Sequence, residues 1–397
     1  MAKLDTYTQG ALDHIGYLSE TIGGRGSCTP QERQASEYTA EQMGTLGVQD
    51  VRVEAYRGAP STYRPYALAF IAGLLGALLA WFFQDRWGLV LAAILNALGA
   101  WGMLAETDFS DNWTRWLLPK AASQNAVGAI APRGEVKHRA VLCAHVDTHR
   151  TPVFYSSSTW QTLFSLLVGG ALLSMLTSAL LYALGAGFNW TWVRWIGLAA
   201  AAVQVFALAM SLHADFTPYS PGANDNASGV GVTLELARRL MAEPLENTQV
   251  WLAFTGCEEA AAYGMSAFLD AHATELGPQA IYIIIDQVGK GRLEYLTADG
   301  LILKRKTHPQ ALALARQCAR GLPEVETAEQ AGIAYTDAAV ATKRGLIALT
   351  LVAVPPPGSG ESTNWHQMSD TIDEIDAQTL SDAQQFTWEA LQKIDQS

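Results

Sequence analysis

The sequence predicts an α/β protein: a mostly parallel, mixed central sheet with helices on both faces, into which two transmembrane helical hairpins are inserted. Three observations carry this expectation. Short, wholly apolar or β-branched runs alternate with stretches of helical spacing, the pattern of strands buried on both faces. Four longer apolar runs contain no Asp, Glu, Lys or Arg. Polar side chains able to bind metal stand where the short runs stop, at the strand ends where sites form in sheets of this kind.

Residues 4 to 22 and 30 to 46 have helical spacing, the second opening on Thr29-Pro30 in N-cap and N1 order, and Val51 to Tyr56 is a β-rich run. The N-terminal stretch mixes charges with apolar positions and lacks the apolar core of a secretory signal, so export by a cleaved signal is not expected. Ala126 to Ala131 and Ala140 to Val146 read as paired strands joined through Arg133-Gly134-Glu135. Val250 to Thr255, Ile281 to Ile285 and Leu346 to Val352 supply further strands, with helical patterns at 228 to 242, 260 to 274, 307 to 320 and 375 to 394. The low-complexity piece Pro355-Pro356-Pro357-Gly358-Ser359-Gly360 is expected as a loop.

The uncharged runs are Tyr66 to Phe83, Trp87 to Ala105, Leu163 to Leu184 and Trp195 to Leu212. Each approaches the ~20 residues that cross a bilayer as a helix, and core helices of a soluble domain rarely lack charge on every face for this length. They pair as hairpins turning at Gln84-Asp85-Arg86 and at Gly185 to Arg194, with Trp81, Trp87, Trp190, Trp192 and Trp195 near the turns as an interfacial belt. The expected organisation is a catalytic domain in three pieces, 1–64, 107–158 and 214–397, with hairpins at 65–106 and 159–213. Each hairpin returns the chain to its starting side. Arg57, Arg64, Arg115, Lys120 and Arg150 flank the hairpins on that side, against only Arg86 and Arg194 at the turns. The positive-inside bias therefore places the catalytic domain in the cytoplasm of a cell whose inner or plasma membrane the four helices cross.

With 397 residues the chain can bury a large core, and a formal charge of -12 without Lys/Arg clusters excludes nucleic acid as an expected partner. Small or peptidic substrates are the better expectation. Cys28, Cys143, Cys257 and Cys318 form no CxxC pair and read as reduced, buried residues. The spans carry no ionisable residue to mark a transport path, so anchoring is the simpler role for them.

The run Val141 to Asp147 ends in His145-Val146-Asp147, where alternate side chains of a strand share a face, so that His145 can bind a metal and Asp147 can fix it, or the two form an ordinary hydrogen-bonded pair. Gly222-Ala223-Asn224-Asp225-Asn226-Ala227-Ser228-Gly229 sets Asp225 in a small-residue loop before a helix, suited either to bridging two cations or to helix capping. Phe254-Thr255-Gly256-Cys257-Glu258-Glu259 places adjacent carboxylates after a strand; such a pair repels unless a cation or a proton intervenes, or unless both lie solvated at a helix start. Asp286 follows Ile283-Ile284-Ile285, and His366 follows Asn364-Trp365. Nitrogen and oxygen donors without thiolate suit a hydrolytic rather than a structural zinc site.

In this order the motifs resemble the co-catalytic dizinc aminopeptidase family, which includes bacterial leucyl-type aminopeptidases, glutamate carboxypeptidases, glutaminyl cyclases and the inactive transferrin receptor ectodomain. The resemblance implies two zinc ions, with His145 and Asp286 on one, Glu259 and His366 on the other, and Asp225 bridging. It implies Glu258 as the general base, Asp147 as the acid orienting the histidine, and peptides as substrates. Tyr335-Thr336-Asp337 and Ser369-Asp370-Thr371 resemble the family's C-terminal half, with Ala338 a departure in the substrate-binding wall. A larger departure is the insertion of both hairpins. Alternatives on the same fold are a hydrolase of another amide, a glutaminyl cyclase, and a non-catalytic membrane scaffold; the intact ligand set disfavours the last.

Overall fold

The computed structural model describes residues 5–356, 359 and 362–397, so Pro357, Gly358 and Gly360 of the expected proline-rich loop lie outside the described residues. In chain order the elements are α1 (Thr6–Gly16), α2 (Pro30–Leu46), β1 (Gln49–Gly58), α3 (Tyr63–Phe82), α4 (Arg86–Thr107), α5 (Trp113–Leu117), β2 (Ala121–Ile130), β3 (His138–His145), α6 (Ser158–Phe188) and α7 (Val193–Asp215). They continue with α8 (Gly229–Ala242), β4 (Thr248–Thr255), α9 (Tyr263–Leu276), β5 (Ile281–Ile285), β6 (Arg292–Asp299), β7 (Arg305–Lys306), α10 (Pro309–Gly321), β8 (Thr327–Ala331), α11 (Asp337–Lys343), β9 (Ile347–Val354) and α12 (Ala377–Asp395). The chain divides into two compact units, residues 1–60, 120–149 and 219–397 in the first and 61–119 and 150–218 in the second.

The first unit is built on a mixed sheet of order β1-β2-β4-β3-β5-β9-β6-β7, with β8 beside β6. The four central strands, β4, β3, β5 and β9, run parallel, and the pairs β1–β2, β2–β4, β9–β6 and β6–β7 are antiparallel. Helices α1, α2, α8, α10 and α12 pack on one face and α9 and α11 on the other. Covering both faces explains why β3, β4, β5 and β9 read as nearly unbroken apolar runs. Leu142, Ala144, Leu252, Phe254, Ile283 and Ile285 alternate onto the face of the larger helical layer and are fully buried there. Each large apolar side chain so buried contributes about 1.5–3 kcal/mol.

Strands β2 and β3 are not partners, contrary to the sequence expectation, because β4 lies between them. A tight hairpin needs about 2–5 connecting residues, whereas residues 131–137 form a longer link. That link steps over the start of β4, with Arg133 N–H donating to Leu245 O (2.8 Å) and Gly134 N–H to Glu246 O (2.8 Å). The first expected helix stops at Gly16 and continues as a wider turn over Tyr17–Ile22. Strands β6, β7 and β8 and helix α11 were not expected from the sequence; β6 interleaves Arg292, Glu294, Thr297 and Asp299 with its apolar residues, and β8 is polar and half exposed, so neither carries the apolar run that marks a central strand.

The second unit contains α3, α4, α6 and α7, the four described helices long and apolar enough to cross a membrane by length and composition. α6 continues past the expected end of its run to Phe188, so the second turn is Asn189–Trp192, and Asn189 closes α6 in the left-handed conformation at φ 59°. Inside the bundle, Asn96 Nδ2 donates to Gly73 O (3.2 Å) and Gln204 Nε2 donates to Asn96 Oδ1 (3.1 Å), so polar side chains satisfy one another across helices. A side chain at Gly73 would collide with Gln204 Oε1, at 2.4 Å from an added Cβ, which explains the small residue there. Leu166, Leu173, Leu180 and Trp195 stay more than half exposed, an apolar surface that suits lipid rather than water.

Candidate metal centre

The sequence-predicted residues converge at the carboxyl ends of the parallel strands, where helical and strand packing stops and side chains are free to project. His145 is the last residue of β3, Glu258 and Glu259 follow β4, Asp286 follows β5, and His366 lies in the turn after β9. Asp225 sits in the loop before α8, and all of these residues are buried.

Asp225 faces two histidines. Its Oδ1 lies 3.3 Å from His145 Nε2 and its Oδ2 lies 3.2 Å from His366 Nε2. Asp286 Oδ1 is 3.4 Å from His145 Nε2, and Glu259 Oε2 is 3.3 Å from His366 Nε2. Ligands at Zn–N and Zn–O lengths of about 2.0–2.1 Å on a tetrahedral ion stand roughly 3.3 Å apart, so these separations are those of donors sharing a cation. Among the described residues, Asp225 Oδ2, Glu258 Oε1, Glu259 Oε1 and Asp286 Oδ1 are buried acceptors without a hydrogen-bond partner, which is costly unless a cation faces them. The donor set fits zinc. Ligand atoms of His145, Asp225 and Asp286 lie within 4.8 Å of one another, as do those of His149, Glu259 and His366.

Several devices hold the Asp225 loop. Asn226 Nδ2 donates to Ile285 O (2.9 Å), while its Oδ1 accepts from Gly229 N–H (2.9 Å) and Gln287 N–H (3.2 Å), tying the loop to the end of β5. The capping contact therefore falls to Asn226 and leaves Asp225 free to project. The close approach needs glycine at 229, where an added Cβ would lie 2.1 Å from Ile285 O. Asp370 accepts the N–H groups of Asn224 (2.7 Å) and Asp225 (3.0 Å). Fully buried Arg25 donates to Val146 O, Leu18 O, Gly23 O, Pro221 O and Gly222 O, binding the β3 exit to the same loop.

The Glu258-Glu259 turn is braced by carboxylates on both sides. Cys257 N–H donates to Glu32 Oε1 (2.8 Å), and Asp147 receives the N–H groups of Glu258 and Glu259 together with Ser27 Oγ–H (2.7 Å). The pair is therefore a buried turn before α9 and not a solvated helix start. His145 Nδ1 lies 3.1 Å from Asp147 O and 3.6 Å from Asp147 Oδ1. The second of these is too long for a hydrogen bond, so the carboxylate of Asp147 serves chiefly the glutamate turn.

Burial and mutual repulsion set the charges. Burial pushes the Glu258 carboxyl well above the usual range, aided by Glu259, Asp337 and Asp286, and pushes Glu259 up to about 7. Burial would raise Asp225 too, yet its contacts with His145 and His366 hold it below the ordinary carboxylate value. Burial opposes protonation of His366, but Glu259 and Asp225 outweigh it and lift the imidazole to about 9. A divalent cation bound here would replace that proton as the counter-charge.

Sequence reading missed His149, Arg25, Ser27, Glu32 and the proximity of two thiols. Cys28 Sγ and Cys257 Sγ stand 3.3 Å apart, and Cys28 is partly exposed, not buried as expected. His149 carried a usable signal, standing four residues after His145; the others act through contacts between residues far apart in the chain, which no sequence spacing reports.

Comparison with known proteins finds similarity to peptidases. The family described as Peptidase family M28 matches residues 200–391. Aminopeptidase YwaD of Bacillus subtilis is 40% identical over 81 residues, 20% of this chain and 18% of that protein. The probable lipoprotein aminopeptidase LpqL of Mycobacterium tuberculosis is 30% identical over 204 residues, 42% of this chain and 38% of that protein. The matches thus span well under half of either relative. A zinc aminopeptidase structure from Bacillus subtilis superposes with TM-score 0.59 at 15% identity, covering 98% of this chain and 96% of that one. The glutaminyl cyclase of Porphyromonas gingivalis superposes with TM-score 0.56 at 14% identity, covering 97% and 98%. At these identities the structures show the shared fold.

Proposed function

From the premise that this chain is a relative of peptidase family M28 and of the co-catalytic zinc aminopeptidases, we propose that it is a membrane-anchored aminopeptidase using two zinc ions. The observation that carries the reading is the placement of Asp225 between His145 Nε2 and His366 Nε2, one carboxylate oxygen toward each. His145 and Asp286 would hold one ion and Glu259 and His366 the other, with Asp225 available to both. Zinc in these positions supplies Lewis acidity toward the scissile carbonyl and the attacking water.

Glu258 is the general base. It is buried beside ligand Glu259, and among the described residues its Oε1 has no hydrogen-bond partner, which leaves it free to take a proton from water and return it to the departing amine. Asp147 holds the backbone of both glutamates, so it positions the base and the adjacent ligand together. Tyr335 Oη accepts Ala261 N–H (3.0 Å) and donates to Glu258 O (3.3 Å), which braces the far side of the same turn.

The four apolar helices anchor the enzyme in the bilayer, and the Lys/Arg bias around them supports a cytoplasmic catalytic unit. Digestion of a peptide library by the full chain in detergent, with zinc and with chelator, tests the activity by mass spectrometry. Zinc-dependent loss of one N-terminal residue at a time is expected. Loss of ammonia from N-terminal glutamine without chain shortening would instead establish the glutaminyl cyclase reading, which the Porphyromonas gingivalis structural likeness keeps in view.

A further inference from the structure

We propose that His149 is an additional protein ligand of the metal centre, holding one ion together with Glu259, His366 and the bridging Asp225. This rests on the metallopeptidase reading above and assigns a residue that the motif resemblance does not include.

The His149 ring stacks on that of His366, with centroids 3.7 Å apart and planes 15° from parallel. The stack brings the two rings close but leaves their in-plane lone pairs nearly parallel, so sharing one zinc, with bonded nitrogens roughly 3.3 Å apart, requires one ring to turn about its side-chain bonds. One ring nitrogen of His149 lies within 4.8 Å of ligand atoms of both Glu259 and His366. The side chain is only 6% exposed, so bulk water does not compete there.

Its backbone is fixed on both sides, as a ligand requires. Thr148 N–H donates to Arg25 O (3.2 Å), Thr148 Oγ1 accepts Arg25 N–H (2.9 Å), and His149 O accepts Ser220 N–H (2.9 Å). Ser220 Oγ–H in turn donates to Gln367 O (2.9 Å), linking the His149 segment to the turn that bears His366. In His145-Val146-Asp147-Thr148-His149, the first histidine lies with Asp225 and Asp286 and the second with Glu259 and His366.

The consequence is an unequal pair of sites. The ion beside Asp286 receives one imidazole, and the ion beside Glu259 receives two. A second neutral nitrogen donor favours zinc, cobalt and copper over magnesium or manganese and tightens that site, so it fills first.

The test is zinc titration of the metal-stripped full chain in detergent against a chromophoric chelator, for the native protein, His149→Phe and His149→Asn. Phenylalanine keeps a flat ring for stacking but offers no nitrogen. Both variants are expected to weaken one zinc equivalent by more than about tenfold and leave the other unchanged. Native affinity for both equivalents in His149→Phe would reduce His149 to a stacking partner and overturn the proposal. A crystal structure of the zinc-loaded native chain, phased at the zinc edge, decides the matter without a variant: a His149 nitrogen about 2.1 Å from an ion supports ligation, and one beyond bonding distance from every ion overturns it. A native chain that binds no zinc would defeat the metallopeptidase reading itself, a result distinct from a two-zinc enzyme indifferent to position 149.

Discussion

The carboxylate of Asp147 accepts the backbone N–H of Glu258 at 3.1 Å through Oδ1, while its Oδ2 accepts the N–H of Glu259 at 3.2 Å. One side chain at the exit of β3 thereby sets the position of two glutamates at the exit of β4. An amide in its place can accept only one of the two backbone protons, since its nitrogen meets the other donor to donor. Asp147→Asn is expected to lower kcat by about 10–100-fold through displacement of the base, with the larger loss in Asp147→Ala. Steady-state kinetics with zinc content measured on the same samples checks this; unchanged kcat in a zinc-replete Asp147→Asn variant would show that the turn holds itself.

Glu258→Gln keeps the shape of the turn and removes the proton acceptor. Turnover should fall by about 10²–10⁴-fold while zinc remains near two per chain. Full activity with two zincs would remove Glu258 from the mechanism, and loss of one zinc would make it a ligand.

Asp299 is not among the proposed metal ligands, although Asp286 adds to the shift of its carboxyl, and it offers a pH test. Burial pushes its carboxyl up to about 7 from an ordinary 3.8, against hydrogen bonds from Thr336 Oγ1 (2.6 Å), Gly300 N–H and Thr336 N–H. Because the folded value lies above the unfolded one, the native state holds the proton across this interval. Its contribution to stability is full below about pH 4 and is lost as pH rises toward 7. Asn at this position can donate to Thr336 Oγ1, which also neighbours Thr350 Oγ1 at 2.9 Å, and it has no proton to lose. The melting temperature of Asp299→Asn relative to the native chain should therefore rise between pH 5 and 8. A constant difference across that range would show that Asp299 does not titrate there.

Gln84, exposed in the turn of the first hairpin, reports the orientation of the membrane spans. In intact cells, Gln84→Cys should react with a membrane-impermeant maleimide, whereas Lys137→Cys on the exposed β2–β3 link should react only after permeabilisation. The reverse pattern would place the catalytic unit outside.

Much of the fold was legible because burial on two faces leaves a plain trace. Val250 to Thr255 and Ile281 to Ile285 lie within strands because side chains between two helical layers are almost all apolar. The uncharged hairpin helices were readable for a parallel reason, since lipid accepts no charge along roughly 20 residues. Strand order was not. The adjacency of β2 and β4 depends on a link of residues 131–137 passing over one strand, and nothing in that link's composition distinguishes it from a turn.

For the candidate site, donor chemistry and strand-end placement brought His145, Asp225, Glu258, Glu259, Asp286 and His366 into view, because a cation demands those side chains and the sheet supplies those positions. Tertiary structure alone decided who holds them. Arg25, Asp147, Asp370 and Glu32 act by meeting the N–H and C=O groups of distant loops, as when Glu32 accepts the N–H of Cys257 across 225 positions of chain. Backbone groups are the same at every residue, so their partners leave no mark in the sequence. The same limit hid the stacking of His149 on His366, which lie on loops that Ser220 ties to each other.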